Sequence, residues 1–317
     1  MCRAAHESGG PRRCSGDART AFGHSQAAVS QLQARRDVLR YAVQRQSPDG
    51  APASVTLPRG AALSPSRAAD FKRCPQLYRF RAIDRIPEDP SPAAVRGTLV
   101  HAALETLHKL PAPERTPEIA RALIGPAWER LKAAEPVTAG YSAEQTGTIL
   151  GEAAAMIDRY YTLEDPTRFS AAATESRFDV ALDDGTPLRG VIDRIDIAAT
   201  GQTRVVDYKT GKAPSEAFEA AALFQMKFYA LALLRGRGVM PTHLRLVYLG
   251  DGRVLDFTPS QAEVERFATT LSALWQAIQT AADTGTFPPS PSRLCGTCAH
   301  KSRCPAFIRP ERTPASH

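Results

Sequence analysis

The chain has 317 residues, 43% of them hydrophobic, with 40 Lys and Arg against 33 Asp and Glu, a formal charge of +7 and a pI near 9.2. That length holds ample core for one large domain or two small ones, while the lack of any bilayer-length apolar stretch or signal-peptide hydrophobic region argues against a membrane protein and for a cytoplasmic one. The positive charge favours an anionic partner, nucleic acid first, although a membrane surface would attract the same composition.

Residues 1–60 are rich in Arg, Ala, Ser, Gln and Gly, contain Cys2 and Cys14, and have little apolar periodicity. They read as a disordered basic extension or a start codon placed too early, with a transit peptide as a lesser reading. Ser25 to Gln46 suits a polar helix, ended by Gln46-Ser47-Pro48-Asp49-Gly50-Ala51-Pro52. No chemistry is assigned here, and Cys2 and Cys14 are expected to be free. The organisation expected is therefore an extension over 1–60, a folded domain over 61–310 and a tail over 311–317.

Order is expected from Leu63. Ser64-Pro65 is an N-cap followed by proline at the first helical position, predicting a helix from Pro65 to about Arg73. Cys74-Pro75 ends it, because a residue before proline avoids the helical region. A second helix starts at Ser91-Pro92, with Val95, Leu99, Ala103, Leu107 and Leu110 at helical spacing. Capping boxes Ser142/Gln145 and Ser260/Glu263 open long helices ending near Leu163 and Asp283, with Gly285 as a stop for the latter. Between them, Thr174–Leu182, the turn Asp183-Asp184-Gly185 and Leu188–Ile197 predict a hairpin. Thr203–Thr210 is a third strand, about Phe218 to Leu234 a helix, and His243–Leu249 another strand. Helices, a meander, then helix, strand and helix specify an α/β fold with a mixed sheet.

The chemistry centres on Val205-Val206-Asp207-Tyr208-Lys209-Thr210-Gly211. Strand alternation puts Asp207 and Lys209 on one side, and Asp193 lies on the preceding strand in Gly190-Val191-Ile192-Asp193-Arg194-Ile195-Asp196. Two carboxylates with an ammonium beside them suit metal-assisted phosphodiester hydrolysis. By itself Asp-x-Lys is common, and most occurrences are solvated strand faces or weak ion pairs. In Gly97-x-x-x-His101, the imidazole shares a helix face with Glu105, although such a histidine is often just a partly buried core residue. Gln225 and Tyr229 form a similar pair in the following helix. Thr210-Gly211-Lys212 looks like the end of a phosphate loop, but Val206 and Ala213 occupy positions that require Gly and Ser/Thr, so ATP binding is rejected.

In order, Gly97-x-x-x-His101, Glu175, Gly190-x-Ile-Asp193-Arg-Ile-Asp, Asp207-Tyr208-Lys209-Thr-Gly and Gln225-x-x-x-Tyr229 resemble the RecB-like branch of the PD-(D/E)XK nuclease superfamily, over roughly Leu63 to Phe307. The resemblance implies a restriction-endonuclease-like core, a central mixed sheet flanked by helices. It implies Asp193, Asp207 and Lys209 as catalytic residues. The ligands of Mg²⁺ or Mn²⁺ would be His101, Asp193, Asp207 and the Tyr208 carbonyl. Glu175, Gln225 and Tyr229 would contact DNA or support the site, while Arg194 and Asp196 would be structural.

Six cysteines in a chain of this kind suggest metal or cluster binding rather than disulfides. From spacing alone, Cys295-x-x-Cys298 and Cys304 with Cys74 fit a structural Zn²⁺ site by default, and Fe–S as an alternative. The family resemblance favours a 4Fe–4S cluster joining the two ends of the domain, as in nuclease domains of end-resection helicases and the CRISPR adaptation nuclease. The function expected is a metal-dependent DNA nuclease, an exonuclease working on single strands or DNA ends in repair or recombination, with a helicase as a further partner. The alternative is a non-cleaving DNA-binding or helicase-partner subunit with the same fold; a third reading is an RNase.

Overall fold

The computed structural model describes residues 54–135, 138, 140–215 and 219–308. The polar helix expected at Ser25–Gln46, Cys2, Cys14 and the 311–317 tail lie outside the described residues. Helix α1 spans Pro65–Arg73, followed by the short α2, Pro75–Tyr78, and a π-helical turn, Arg79–Ile83. Then come α3 (Pro92–Lys109), α4 (Pro117–Ala122), α5 (Ile124–Ala134) and α6 (Ala143–Leu163). The strands are β1 (Ala171–Ala181), β2 (Pro187–Ile197), β3 (Thr203–Lys209), β4 (His243–Tyr248) and β5 (Arg253–Phe257). Helix α7 (Glu219–Arg237) crosses between β3 and β4, and α8 (Gln261–Asp283) closes the fold.

The local signals are used as the sequence implies. Ser64 Oγ accepts from the Arg67 N–H at 3.2 Å, and both capping boxes form reciprocally, Ser142 with Gln145 and Ser260 with Glu263. Two expectations change. Order precedes Leu63, since Val55 donates its N–H to the Ala282 carbonyl at 2.7 Å and packs, with Leu57, on the core. A fifth strand not expected from the sequence pairs antiparallel with β4 after the Gly250-Asp251-Gly252 turn; at five residues it is too short for its pattern to stand out.

The sheet order is β1-β2-β3-β4-β5, antiparallel except for the parallel β3–β4 pair, which confirms the mixed α/β sheet. Successive side chains of the central strands serve opposite cores. Val205 and Leu246 pack with α1, α7 and α8; Val206, Tyr208 and Val247 pack with α3, α5 and α6. The sheet is therefore covered on both faces, which is why the consecutive Val205 and Val206 of β3 are both buried. Among the described residues no helix is long and apolar enough to cross a membrane.

Candidate active site

The β2–β3 ladder runs from Ile197↔Thr203 to Arg194↔Val206 and stops there. Asp193, the next residue, leaves the ladder, and its Oδ2 accepts the Tyr208 N–H at 2.8 Å. On the other side, β1 pairs Thr174↔Arg194 and Ser176↔Ile192, so Glu175 falls opposite Asp193. Glu175 has φ 45°, a left-handed backbone that a non-glycine residue rarely holds in a strand. His101 comes from α3, its Nδ1 3.4 Å from Asp193 Oδ2. Four residues earlier, a Cβ on Gly97 would lie 3.2 Å from Thr210 Oγ1, so the glycine lets α3 approach the end of β3.

His101, Glu175 and Asp193 each present a ligand atom within 4.8 Å of the others. Burial works against the imidazolium of His101, but the Asp193 carboxylate overrides it and raises the pKa. The Glu175 carboxyl is pushed up by burial and by Asp193. Carboxylate repulsion partly relieved by an imidazole is the electrostatics of a hard-cation site.

Beside this cluster, Lys209 Nζ stands 2.6 Å from Asp207 Oδ2 and donates to Gln225 Oε1 at 2.8 Å. Gln225 Nε2 donates to Asp207 Oδ1 at 2.8 Å and reaches Tyr229 Oη at 2.7 Å; Tyr229 donates to Asp207 Oδ1 at 3.3 Å. Oδ1 is thus saturated. Oδ2, buried, has the ammonium close by but makes no well-directed hydrogen bond, which leaves it with free acceptor capacity. Burial raises the Asp207 pKa, the Lys209 charge opposes that, and Asp193 adds to it. This donor set, an imidazole with three carboxylates, one of them incompletely bonded, fits Mg²⁺ or Mn²⁺.

The sequence-derived residues are therefore brought together, with one change of emphasis. Glu175 groups with His101 and Asp193 as tightly as any ligand, whereas Asp207 is engaged first by Lys209 and Gln225. Counting outward from the hairpin turn would have revealed this, because Ala181↔Pro187 already puts 175 opposite 193. Glu105 pairs with Lys109 at 2.6 Å instead of joining the cluster. The Tyr208 side chain points to the other core, where its hydroxyl lies 3.1 Å from His108 Nε2. On that face Arg194, fully buried, is ion-paired to Glu164 at 2.8 Å and Asp196 at 3.0 Å and also donates to Tyr208 Oη.

At the far end of the domain, Cys74, Cys295, Cys298 and Cys304 all line one cavity of about 210 Å³. Ser290 N–H donates to Cys74 Sγ at 3.4 Å and Ser292 N–H to Cys295 Sγ at 3.3 Å, and all four thiols are free of disulfides. Buried His300, between Cys298 and Cys304, bonds Glu88 at 2.8 Å, and Glu88 in turn takes Arg81 at 2.5 Å.

The sequence profile of the PD-(D/E)XK nuclease superfamily matches residues 62–305. The chain is 23% identical over 291 residues to the Gene 69 protein of Mycobacterium phage L5, covering 77% of this chain and 96% of that protein. It is 27% identical over 214 residues to the Gene 69 protein of Mycobacterium phage D29, covering 56% and 70% respectively. Among solved structures, a candidate exonuclease from Eubacterium rectale superposes with a TM-score of 0.54 at 13% identity, over 80% of this chain and 91% of that one. At that identity the likeness is one of fold.

Proposed function

This chain belongs to the PD-(D/E)XK nuclease superfamily, and from that premise we propose that it is a Mg²⁺- or Mn²⁺-dependent deoxyribonuclease of the RecB-like branch. The observation that carries the reading is the continuous contact from Asp207 through Lys209, Gln225 and Tyr229, set beside the His101–Glu175–Asp193 cluster. His101, Glu175, Asp193 and Asp207, with the Tyr208 carbonyl, would hold the divalent ion. When bound, the ion supplies Lewis-acid neutralisation of charge at the scissile phosphate. Lys209, held by Gln225 and Asp207, orients the attacking water and offsets charge on the phosphoryl oxygens. Tyr229 and Gln225 keep the Asp207 carboxylate turned toward the cluster.

The net charge of +7 supplies sequence-independent, salt-sensitive affinity for DNA. Exonuclease action on single strands or ends, in repair or recombination in the cytoplasm, follows the family reading and the name of the Eubacterium rectale relative. A helicase partner would deliver such strands. The catalytic domain extends over 61–310.

The four cysteines would carry a 4Fe–4S cluster. The resemblance to cysteine-stapled RecB-like nucleases favours it over zinc, and all four cysteines line one cavity. The cluster would tie Cys74 to the C-terminal segment and close a very long loop.

Labelled single- and double-stranded DNA incubated with the purified protein and Mg²⁺ or Mn²⁺ tests the activity. Cleavage lost in Lys209→Ala is expected. Equal behaviour of the two proteins would leave only a non-cleaving DNA-binding or helicase-partner subunit, and preferential digestion of RNA would identify an RNase. A brown protein whose visible absorbance bleaches in Cys298→Ser supports the cluster; a colourless one with stoichiometric zinc overturns it.

A further inference from the structure

Three of the elements that build the candidate site each send a second side chain to one place behind it. Helix α3 carries His101 toward Asp193 and, two turns later, His108 into the core. Residues two turns apart leave the same face of a helix, here about 10 Å apart along its axis. Strand β2 carries Asp193 and then Arg194, and β3 carries Asp207, Tyr208 and Lys209. Alternation turns Arg194 and Tyr208 away from their acidic neighbours. His108, Arg194 and Tyr208 are all buried.

They meet at the Tyr208 hydroxyl. Arg194 Nη1 donates to Tyr208 Oη. The same oxygen lies 3.1 Å from His108 Nε2, and Arg194 Nη1 lies 3.2 Å from that nitrogen, which closes a triangle. Tyr160 Oη, from α6, is also 3.1 Å from His108 Nε2. Glu164 and Asp196 take the rest of the guanidinium. Burial, with the Arg194 and Arg115 charges adding to it, lowers the His108 pKa to about 3, so the imidazole is neutral and sets no second cation against Arg194.

The other end of Tyr208 belongs to the site. Its backbone N–H donates to Asp193 Oδ2 at 2.8 Å, the oxygen that His101 Nδ1 approaches at 3.4 Å. Its ring stands edge-on to the His101 ring, with centroids 6.2 Å apart. Its chain neighbours are Asp207 and Lys209, paired at 2.6 Å. A displacement of Tyr208 would thus disturb His101, Asp193, Asp207 and Lys209 together. A ring held by apolar contacts alone can slide, whereas this hydroxyl cannot move without leaving buried polar groups unpaired.

We propose that the Tyr208 hydroxyl is a positioning group: anchored by Arg194 and His108, it fixes α3, β2 and β3 in the register at which His101, Asp193 and Asp207 can share one divalent ion. The inference rests on the metal-dependent reading above. It adds a side chain that acts from behind the site, through the backbone and the His101 ring.

The test is calorimetry of Mn²⁺ binding and steady-state cleavage of labelled DNA by full-length wild type, Tyr208→Phe, His108→Leu, His108→Gln and the Tyr208→Phe/His108→Leu double variant. Tyr208→Phe keeps the ring beside His101 and removes only the hydroxyl. It should weaken Mn²⁺ binding about tenfold and lower kcat, with KM for DNA unchanged. His108→Leu should do the same, and the double variant should lose no more than either single one. His108→Gln, whose amide can still meet a hydroxyl, should recover most of the loss. Ile157→Val, a change in the same core, should lower Tm without moving Mn²⁺ affinity. In metal-free protein the His101 ring resonances should shift in Tyr208→Phe and His108→Leu and stay in place in Ile157→Val. Wild-type Mn²⁺ affinity in Tyr208→Phe, or in His108→Leu should the first not fold, would overturn the proposal, as would losses that follow Tm alone across the set. A wild type that neither binds Mn²⁺ nor cuts DNA, with the His101 resonances still displaced by Tyr208→Phe, would sink the nuclease reading and keep the positioning role. Cleavage by wild type with those resonances unmoved would do the reverse.

Discussion

Replacing Arg194 by Met should destabilise the domain more than any single change at the surface. The guanidinium is fully buried, pairs with Glu164 at 2.8 and 3.1 Å and with Asp196 at 3.0 and 3.1 Å, and lies 4.7 Å from the Phe169 ring. Met fills much of the volume, so the loss comes from carboxylates left buried with less compensation. Removing one partner of a buried pair costs about 3–5 kcal/mol. Here Glu164 keeps Arg245 at 3.3 Å and Asp196 keeps Arg204 at 2.8 Å, which puts the expected loss near the lower end. For a domain of this size, about 3 kcal/mol lowers Tm by roughly 6–12 °C. Thermal and urea melts of wild type, Arg194→Met, Glu164→Met and the double variant measure it. The double variant should recover part of the loss, because the stranded carboxylate is gone. A fall of less than about 3 °C in Arg194→Met, or strictly additive losses in the double variant, would refute the reasoning.

Four further outcomes are expected. Burial pushes the Glu164 carboxyl up, but the Arg194 guanidinium overrides it, so the folded pKa lies below the ordinary glutamate value. Its contribution to stability is therefore complete above the unfolded pKa and disappears as pH falls through the folded one; acid titration of stability should be shallower in Arg194→Met. Glu175→Gly should relieve the left-handed strain and raise stability by about 1 kcal/mol, while Mn²⁺ binding by calorimetry weakens at least tenfold; equal Mn²⁺ affinity would remove Glu175 from the ligand set. Gln225→Leu should lower kcat by roughly 10²-fold with little change in KM, since it frees Lys209 without touching the ion; an effect confined to KM would place Gln225 in DNA binding instead. Glu88→Gln should speed loss of visible absorbance under chelator, because His300 and Arg81 no longer anchor the segment between Cys298 and Cys304.

Much of this protein was readable without coordinates. The starts of α1, α3, α6 and α8 are written in Ser-Pro pairs and capping boxes, whose effect extends only a turn away. The order of Gly97-x-x-x-His101, Asp193, Asp207-x-Lys209 and Gln225-x-x-x-Tyr229 was enough to identify the superfamily. The grouping of Cys74 with the C-terminal cysteines, which line one cavity with it, was expected through that resemblance, not through spacing.

What only the tertiary structure decided depends on contacts between distant segments. Glu175 comes together with His101 and Asp193 because β2 leaves its ladder at Asp193 and β1 turns left-handed opposite it. Arg194, one residue from Asp193, faces the other core and pairs with Glu164, 30 positions away. The packing of Phe178 and Val180 against the core exists only where α7 lies across β1. Caps, turns and periodicity act within a few residues and so are legible in sequence. The layering of helices on both faces of a twisted sheet is set by the packing of the whole chain, and no local stretch of residues contains it.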